Sequence, residues 1–289
     1  MQVLVTGGSG FIGSHVCARL AGMGVGYKNY DIKCGDDVFN IDSLSQAING
    51  ADVIIHLVAE SDTQTCQSNP MRSFNLNLAA LQSVLVLCRN FYNKKLVYPS
   101  TAAVYGIQDD LPIKESAPLR PNNIYSHHKL LCERMIQVHQ EHYGLEYVIL
   151  RLFNVYGKGV KQVFNRFVAA AGRREVFRAF GVSQYRDFVW TGDVADALCQ
   201  AALSDKAKNK IVNIGSGRGE QIRSILDMIK EVCPGAEWCE ERGNVPLYDS
   251  IADITKAGLL LDYKPHSGRD FMMKVIREEI CQSPLPNPS

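Results

Sequence analysis

Several classes of protein are excluded by what this sequence lacks. Its 289 residues carry 31 Lys and Arg against 30 Asp and Glu, and a formal net charge of +1 creates no general attraction for nucleic acid or an anionic membrane. The nine cysteines are scattered and contain no C-x-x-C pair, which is typical of buried free thiols in a reducing compartment. We therefore expect no metal site and no nucleic-acid partner.

Long hydrophobic runs are missing as well. No apolar run approaches the ~20 residues of a membrane span, and a strand-like segment begins at Gln2, where a signal peptide would need to lie. With 46% hydrophobic and 21% charged residues, the composition is that of a globular protein with a sizeable core. We expect a cytoplasmic protein without a membrane partner.

Strand-like and helix-like segments alternate along the first half of the chain. Short apolar runs predict strands at QVLVT, VGYKNYD, ADVIIHLVA, KKLVYPS and LEYVILRL. Segments with helical spacing lie between them, and such alternation is typical of a parallel sheet covered on both faces. After Gly157 the pattern loosens into shorter elements, including a helix predicted at VFNRFVAAAGRR.

A cluster of glycines joins the first predicted strand to the first predicted helix. Gly7, Gly10 and Gly13 stand three apart in VLVTGGSGFIGSHV. Glycines let the backbone approach a pyrophosphate, and the free N–H groups of a helix N-terminus meet its charge. A turn that merely uses glycine is the alternative. The spacing favours a dinucleotide site, and hence an α/β fold with a Rossmann-type doubly wound parallel sheet and a smaller C-terminal substrate-binding lobe.

The change of rhythm after Gly157 sets the predicted domain boundaries. We assign residues 1–156 to the dinucleotide-binding domain and residues 157–289 mainly to the substrate-binding lobe. Residues 187–214 are expected to return to the first domain, because they contain a helix pattern and the strand-like run KIVNIG.

An acidic residue ends the second predicted strand. Asp31 follows the glycines by about 20 residues, where the dinucleotide fingerprint expects an acid that binds the adenine ribose. Such a carboxylate repels a 2′-phosphate, which favours NAD over NADP, although Lys28 and Lys33 beside it act against that preference. An aspartate that only ends the strand in a turn is the alternative. We predict NAD as the cofactor.

Tyr125 and Lys129 stand four apart on a predicted helix, so their side chains share one face. A free tyrosine has a pKa of about 10 and is a poor base at neutral pH, but a nearby ammonium stabilises its phenolate. The spacing Y-x-x-x-K by itself is common on helix surfaces. Its place after a glycine loop and a hydroxyl-bearing strand end favours a catalytic base and the charge that activates it.

Two hydroxyl residues, Ser100 and Thr101, end the fourth predicted strand. The C-terminal ends of parallel strands line the ligand crevice of such a sheet. A hydroxyl at this position can hold the substrate oxygen that Tyr125 deprotonates. We therefore predict that Ser100 and Thr101 both contact the substrate.

Taken together, these motifs resemble extended short-chain dehydrogenases/reductases of the nucleotide-sugar epimerase/dehydratase family, and UDP-glucose 4-epimerases most of all. The likeness covers nearly the whole chain. It rests on TGGSGFIGSH, DVIIHLVAE, NLNLAAL, PSTAAVYG, YSHHK, LRLFNVYG, RDFVWTGDVADA, NIGSG and ADITKA.

The resemblance implies a catalytic set of Thr101, Tyr125 and Lys129, with Tyr125 as the base and Lys129 as its electrostatic partner and ribose anchor. It also implies that Asn154 and Arg186 bind the nucleotide diphosphate of a sugar. Arginine suits a diphosphate because it is permanently charged and bidentate. The alternative for Arg186 is an ion pair with a neighbouring acid such as Asp187.

Further cofactor contacts are implied by the same resemblance. Asp42 matches an acid that lies near the adenine ring. The other implied positions, besides the three glycines, Asp31, Tyr125 and Lys129, are Phe11, Ile12, Ile41, Leu57, Ala59 and Asn77. The helix at 70–92 and the helix that carries Tyr125 resemble a pair that builds a dimer interface in this family. A homodimer is thus implied, with a monomer as the alternative.

The reaction is suggested by Ala102 and Ala103, which follow Thr101. Relatives that eliminate water resemble a Thr-Asp-Glu pattern here, and methyl groups cannot transfer protons. The resemblance therefore implies a 4-epimerase acting on a nucleotide diphosphate sugar, with a UDP-sugar favoured. It would abstract hydride at C4, let the keto sugar rotate and return the hydride.

Other activities of the same fold remain open at this point. Changes in the C-terminal half, such as Tyr185 before the arginine, permit an NAD(P)H-dependent nucleotide 4-keto-sugar reductase. A 4,6-dehydratase of the same family is a further alternative. A non-catalytic NAD-binding regulatory module is the alternative from a different class.

Overall fold

The computed structural model describes residues 1–91, 94–157, 166–167, 170–171, 173, 175–241 and 248–282. Its strands, in chain order, are β1 Gln2–Thr6, β2 Gly26–Tyr30, β3 Val53–His56, β4 Lys95–Thr101, β5 Glu146–Leu152, β6 Asn154–Tyr156, β7 Phe177–Phe180, β8 Tyr185–Trp190, β9 Lys210–Ile214, β10 Gly219–Gln221 and β11 Trp238–Glu241.

The helices that connect these strands vary from one turn to more than five. They are α1 Phe11–Gly22, α2 Ile41–Asn49, α3 Thr63–Ser68, α4 Pro70–Phe74, α5 Ala80–Asn90, α6 Ile124–Tyr143, α7 Thr191–Leu203, α8 Ile222–Val232, α9 Thr255–Leu261 and α10 Arg269–Gln282. A π-helical segment, Asn75–Ala79, joins α4 to α5, and a 3₁₀ turn, Ala102–Val104, follows β4.

A six-stranded parallel sheet, in the order β2-β1-β3-β4-β5-β9, forms the larger lobe. Since β2 and β3 lie on opposite sides of β1, the chain reverses its direction of winding there. In open sheets of this kind the ligand crevice opens outside the carboxyl ends of the strands at that reversal. The topology therefore directs attention to the ends of β1, β3 and β4.

Both faces of the sheet are buried, and the alternation of side chains along each strand supplies the two cores. Val3 and Val5 of β1 join a core that includes Val16 of α1 and the buried residues of α7. Leu4 points the other way, into a core with Leu44 of α2 and the buried residues of α5 and α6. Helices on both faces of a parallel sheet confirm the predicted Rossmann-type doubly wound fold.

The smaller lobe has its own sheets and core. Strands β10, β8 and β6 form a three-stranded sheet, and β11 pairs with β7. Their buried side chains pack with those of α8 and α10. Residues 187–214 are divided, because β8 belongs to this lobe while α7 and β9 complete the main layer. The helix predicted at VFNRFVAAAGRR lies mostly outside the described residues.

One helical stretch differs from the expectation that no segment could span a membrane. Residues Pro70–Asn90 form a continuous helix of 21 residues that is long and apolar enough, by length and composition, to cross a membrane. Of its apolar stretch, 44% is buried inside the protein. Its residues Leu81, Val84 and Leu85 are fully buried in the core of the larger lobe. A core helix passes the same test, so length and composition alone do not indicate a membrane segment.

A buried ion pair ties α6 to β5 behind the sheet's carboxyl edge. The guanidinium of Arg151 and the carboxylate of Glu133 lie 2.7 Å apart, with side chains only 3% and 2% exposed. Burial opposes the charge on Arg151, but the hydrogen bonds and charge of Glu133 outweigh it and raise the pKa of the guanidinium. Removing either partner would leave the other as an unpaired buried charge.

The variant Glu133→Gln tests this dependence, since it removes the charge and keeps the side-chain shape. We expect the free energy of unfolding, measured by urea denaturation, to fall by about 3–5 kcal/mol because Arg151 remains buried without a counter-charge. As a control, Glu240→Gln breaks an exposed pair with Arg223, whose atoms lie 3.5 Å apart. That loss should be ~1 kcal/mol or less. Equally small losses of unfolding free energy in both variants would contradict the conclusion that Arg151 depends on the charge of Glu133.

Candidate active site

The glycine loop between β1 and α1 is shaped by close backbone approaches. Gly7 has a φ of +76°, in the left-handed region that favours glycine. A Cβ on Gly13 would lie 2.2 Å from the Gly7 carbonyl oxygen, so only glycine fits there. Gly10 is the N-cap of α1 and no side chain caps the helix. The first N–H groups of α1 are therefore available to an anion.

Asp31 braces this loop from the end of β2. It is 8% exposed, and its carboxylate accepts hydrogen bonds from the N–H groups of Ser9 at 3.0 Å and Lys33 at 2.9 Å. The Lys33 ammonium donates to the Ser9 carbonyl oxygen at 3.2 Å. Lys33, one of the two lysines that act against a preference for NAD, thus makes a hydrogen bond to the loop backbone. The carboxylate of Asp31 lies beside the same loop.

The loop after β3 carries two of the predicted cofactor residues, Leu57 and Ala59, and both are half-buried. Asn77, a third, lies beneath this loop and is 1% exposed. Its amide nitrogen donates to the Glu60 carbonyl oxygen and to the Ser73 hydroxyl, each at 3.1 Å. Its amide oxygen has no hydrogen-bond partner among the described residues. Asn77 therefore supports the loop from the core side.

Exposed apolar side chains follow β2 and begin α2. Ile32 is 74% exposed and Ile41 is 48% exposed, and Asp42 is exposed in the first turn of α2. Phe11 and Ile12, half-buried, open α1 beside the glycine loop. Apolar side chains beside an exposed acid form a surface that suits a planar base with polar edges.

Tyr125 lies in the first turn of α6, where a capping box sets the start of the helix. The Asn123 side chain accepts from the Ser126 N–H at 2.9 Å, and the Ser126 hydroxyl accepts from the Asn123 N–H at 3.2 Å. The phenol of Tyr125 reaches the end of β4, where it interacts with the Thr101 side chain. The structure thus brings together two of the three predicted catalytic residues.

The environment of Tyr125 favours its neutral form in the free protein. Burial raises the pKa of Tyr125 to about 12, and the interaction with the Thr101 side chain acts against that rise. A base that must ionise near neutral pH therefore needs additional positive charge close to its oxygen.

Lys129 is 4% exposed and is anchored to the end of β4. Its Nζ donates to the Pro99 carbonyl oxygen at 2.9 Å and to the Tyr98 hydroxyl at 3.1 Å. Burial lowers the pKa of Lys129 to about 8, with the charges of Cys132 and Glu133 acting in the opposite direction. Lys129 thus lies one helical turn after Tyr125, and the described hydrogen bonds of its ammonium go to β4.

Alternation along β4 separates the two hydroxyl residues. Thr101 is half-buried and contacts Tyr125, whereas Ser100 is 3% exposed and donates to the carboxylate of Glu133. Adjacent residues of a strand point to opposite faces, so Ser100 faces the interior, and its substrate contact stays a prediction. Tyr98 shares the face of Ser100 and was missed, although the same period of two would have indicated it.

Arg186 lies on β8 and extends under the aromatic ring of Tyr248. Its guanidinium carbon is 4.3 Å from the ring centroid, and it donates to the Gln184 side chain and to the Tyr185 carbonyl oxygen. Burial lowers its pKa, with the charges of Tyr248 and Asp249 acting against that change. The arginine is held in one orientation by its own strand and by the segment that carries Tyr248.

The suggested ion pair between Arg186 and Asp187 is not formed. Asp187 is fully buried, and its carboxylate accepts hydrogen bonds from Ser216 at 2.6 Å, Gly217 at 3.0 Å and Ala252 at 3.1 Å. Its backbone carbonyl oxygen accepts from the Asn154 side chain at 3.1 Å. Asp187 therefore joins three segments of the smaller lobe, and its carboxylate makes these bonds in place of an ion pair with Arg186.

These features define a dinucleotide-binding site of the Rossmann type. The glycine cradle and the uncapped N–H groups of α1 suit a pyrophosphate, and Asp31 suits a ribose without a 2′-phosphate. NAD fits this set of residues. Within the part of the chain that the structure describes, no group of three or more His, Cys, Asp or Glu side chains could hold a metal ion.

Comparison with known proteins identifies the particular family. Residues 3–215 match the model of the NAD dependent epimerase/dehydratase family, and the chain belongs to that family. The predicted family and the predicted cofactor, NAD, are thereby confirmed, and the protein is an enzyme.

Individual relatives agree with this assignment over most of the chain. A putative UDP-glucose 4-epimerase of Methanocaldococcus jannaschii is 34% identical over 79% of this chain and 81% of its own. The structure of the UDP-glucose 4-epimerase of Thermus thermophilus in complex with NAD covers 98% of this chain and 100% of its own, at 26% identity and a TM-score of 0.87. The structure of the UDP-glucuronic acid 4-epimerase of Bacillus cereus covers 98% of this chain and 99% of its own, at 26% identity and a TM-score of 0.88.

The variant Asp31→Asn tests cofactor choice, because it removes the charge beside the ribose position. We expect the Kd for NAD, measured by calorimetric titration, to rise about tenfold, with affinity for NADP rising as the repulsion is lost. The control Asp36→Asn removes a nearby acid that pairs with Lys28 at 3.8 Å, and it should leave the preference unchanged. An unaltered ratio of the two affinities in Asp31→Asn would refute the ribose role.

Proposed function

We propose that this protein is a nucleotide-sugar 4-epimerase that uses NAD and acts on a nucleotide diphosphate sugar, with a UDP-sugar favoured. The observation that carries the proposal is that the Tyr125 phenol lies near enough to the Thr101 side chain, at the carboxyl end of β4, for Thr101 to lower its pKa. Tyr125 would then be a proton acceptor, with a hydroxyl beside it, at the edge of the sheet where the glycine loop also opens. The relatives named above support the same reaction.

In this proposal Tyr125 removes the proton of the sugar's C4 hydroxyl, and Thr101 hydrogen-bonds to the same oxygen. Bringing the pKa of Tyr125 from about 12 to near 7 requires roughly 7 kcal/mol. A unit positive charge about 4 Å away supplies about 4 kcal/mol at an effective dielectric constant of 20. Lys129 would provide the larger part of the change. When bound, NAD supplies a hydride acceptor and a further positive charge.

The turn after β4 favours epimerisation over elimination. Ala102 and Ala103 form the first residues of the 3₁₀ turn, and the Ala103 N–H donates to the Thr101 hydroxyl oxygen at 3.2 Å. Neither methyl group can protonate a leaving hydroxyl or remove a proton from carbon. The site would therefore perform redox at C4 alone, and the keto sugar could turn before the hydride returns.

Substrate binding in this proposal uses Arg186 and Asn154, which lie on the paired strands β8 and β6. The guanidinium is kept charged and oriented by the Tyr248 ring and by carbonyl and amide oxygens. A permanently charged planar donor set matches the oxygens of a diphosphate. Cofactor contacts from Phe11, Ile12, Ile41, Asp42, Leu57, Ala59 and Asn77 belong to the same proposal.

We further propose a cytoplasmic homodimer. Leu131 and Val138 lie seven residues apart on one face of α6 and are 50% and 47% exposed, and Val86 of the neighbouring α5 is 38% exposed. Apolar side chains on adjacent helices suit a self-complementary interface. The eight cysteines whose side chains the structure describes are free thiols, which agrees with a reducing compartment.

A panel of nucleotide sugars tests the reaction. The purified protein is incubated with UDP-, GDP- and dTDP-sugars without added cofactor, and the products are separated. Interconversion of 4-epimers is the expected result. Turnover only when NADH or NADPH is added would replace the proposal with a 4-keto-sugar reductase, and bound NAD without any turnover would replace it with a regulatory module.

The variant Tyr125→Phe tests the proposed base. We expect kcat to fall by about 10²- to 10⁴-fold, the usual contribution of a general base, while NAD remains bound. The matched control is Tyr143→Phe, since Tyr143 lies at the far end of the same helix and is 52% exposed. It should retain full activity. Turnover of Tyr125→Phe near the wild-type rate would rule out this role.

A further inference from the structure

The ammonium of Lys129 is held by groups that the proposed mechanism has not used. Besides the hydrogen bonds to the Pro99 carbonyl oxygen and the Tyr98 hydroxyl, the Nζ atom lies 4.5 Å from the centroid of the Tyr98 ring. A cation within about 6 Å of an aromatic face is attracted to it. Tyr98 therefore contacts the ammonium through both its oxygen and its ring.

Tyr98 is itself held by its neighbours in the core. It is 2% exposed, and its ring stacks on that of His56 with the centroids 6.3 Å apart and the planes inclined by 19°. Its hydroxyl interacts with the side chain of Cys132, whose Sγ donates to the Asn77 carbonyl oxygen at 3.4 Å. His56 is held in turn by the hydroxyl of Thr6 at 2.7 Å. The tyrosine is a rigid support within the core.

This arrangement restricts where the ammonium can direct its protons. A lysine ammonium has three N–H donors on a flexible four-carbon stem. Two of these donors go to the end of β4, one to Pro99 and one to Tyr98. The third is thereby directed away from the strand. Without the Tyr98 hydroxyl, only one hydrogen bond of this pair would remain, and the ammonium could rotate about it.

We infer that Tyr98 is a positioning residue for the proposed oxidation, because its hydroxyl and ring hold the Lys129 ammonium at the end of β4 with one N–H directed toward the reacting groups. The inference rests on the proposed function. Tyr98 acts through Lys129 and does not itself contact the substrate.

The charge on Lys129 is sensitive to its surroundings. The titratable groups that face it from the packed elements are His56 of β3, Cys66 of α3, Tyr98 of β4, and Tyr125, Cys132 and Glu133 of α6. Burial and the charge of Lys129 lower the pKa of His56 to about 3, so this ring is neutral and adds no positive charge at neutral pH. The Tyr98 hydroxyl accepts a hydrogen bond from the charged ammonium and so favours that form.

The variant Tyr98→Phe keeps the ring and removes the oxygen, so the charged form of Lys129 loses one acceptor. Its pKa should fall below the value of about 8 in the wild-type protein. We expect kcat to decrease roughly tenfold and the alkaline limb of its pH profile to move to lower pH by about one unit. The KM for the sugar nucleotide should stay within about twofold, since its contacts lie elsewhere.

A matched control is Tyr263→Phe. Tyr263 is 8% exposed and its hydroxyl donates to the Gly215 carbonyl oxygen at 2.9 Å, so the variant also removes one buried phenol hydrogen bond. It should leave the pH profile of kcat unchanged. An equal displacement of the profile in both variants, or an unchanged profile in folded Tyr98→Phe, overturns the inference.

A second measurement separates this inference from the proposed function. NMR titration of ¹³C-lysine-labelled protein with bound NAD reports the pKa of Lys129, with the signal assigned by its loss in Lys129→Met. A lower pKa in Tyr98→Phe supports the positioning role even if no sugar is turned over, and an equal pKa overturns it. Should Tyr98→Phe not fold, a fluorotyrosine at position 98 keeps the ring and weakens the oxygen as an acceptor for Lys129, and a lower or an equal pKa of Lys129 decides in the same way.

Discussion

Desolvation of a phenol and an ammonium at one edge of the sheet governs what this protein can do. Burial raises the pKa of Tyr125 to about 12 and lowers the pKa of Lys129 to about 8, so each group is driven toward its neutral form. A phenolate is stable in that space only beside positive charge, since charges interact strongly where water is excluded. The free protein therefore keeps its proposed base protonated until its partners are in place.

Strand β4 organises both sides of this arrangement. Its residues alternate, so Thr101 meets Tyr125 in the crevice while Tyr98 and Ser100 point to the interior. Ser100 joins the buried ion pair that ties α6 to β5, and Tyr98 supports the ammonium of Lys129. The position of the reactive groups thus depends on side chains that face away from the crevice. Behind the site, the interior is polar, whereas an apolar core is usual against a parallel sheet.

The smaller lobe is built around a different buried charge. The Asp187 carboxylate joins the segments at Ser216 and Ala252 to β8, the strand that also carries Arg186. Solved structures of a UDP-glucose 4-epimerase and a UDP-glucuronic acid 4-epimerase match this chain with TM-scores of 0.87 and 0.88. Epimerases named for different sugars therefore share this backbone, and the fold alone does not decide the sugar.

The sequence by itself determined the strand and helix order, the Rossmann-type sheet, the family and NAD, because glycine spacing, alternation and period are local patterns. Only the tertiary structure decided that Ser100 is buried against Glu133 and that the Tyr98 hydroxyl binds the ammonium of Lys129. It also decided that the Asp187 carboxylate binds Ser216 and does not pair with Arg186. These contacts join residues 33, 31 and 29 positions apart. No local pattern encodes them, since they depend on which strand face meets which helix after the chain has folded.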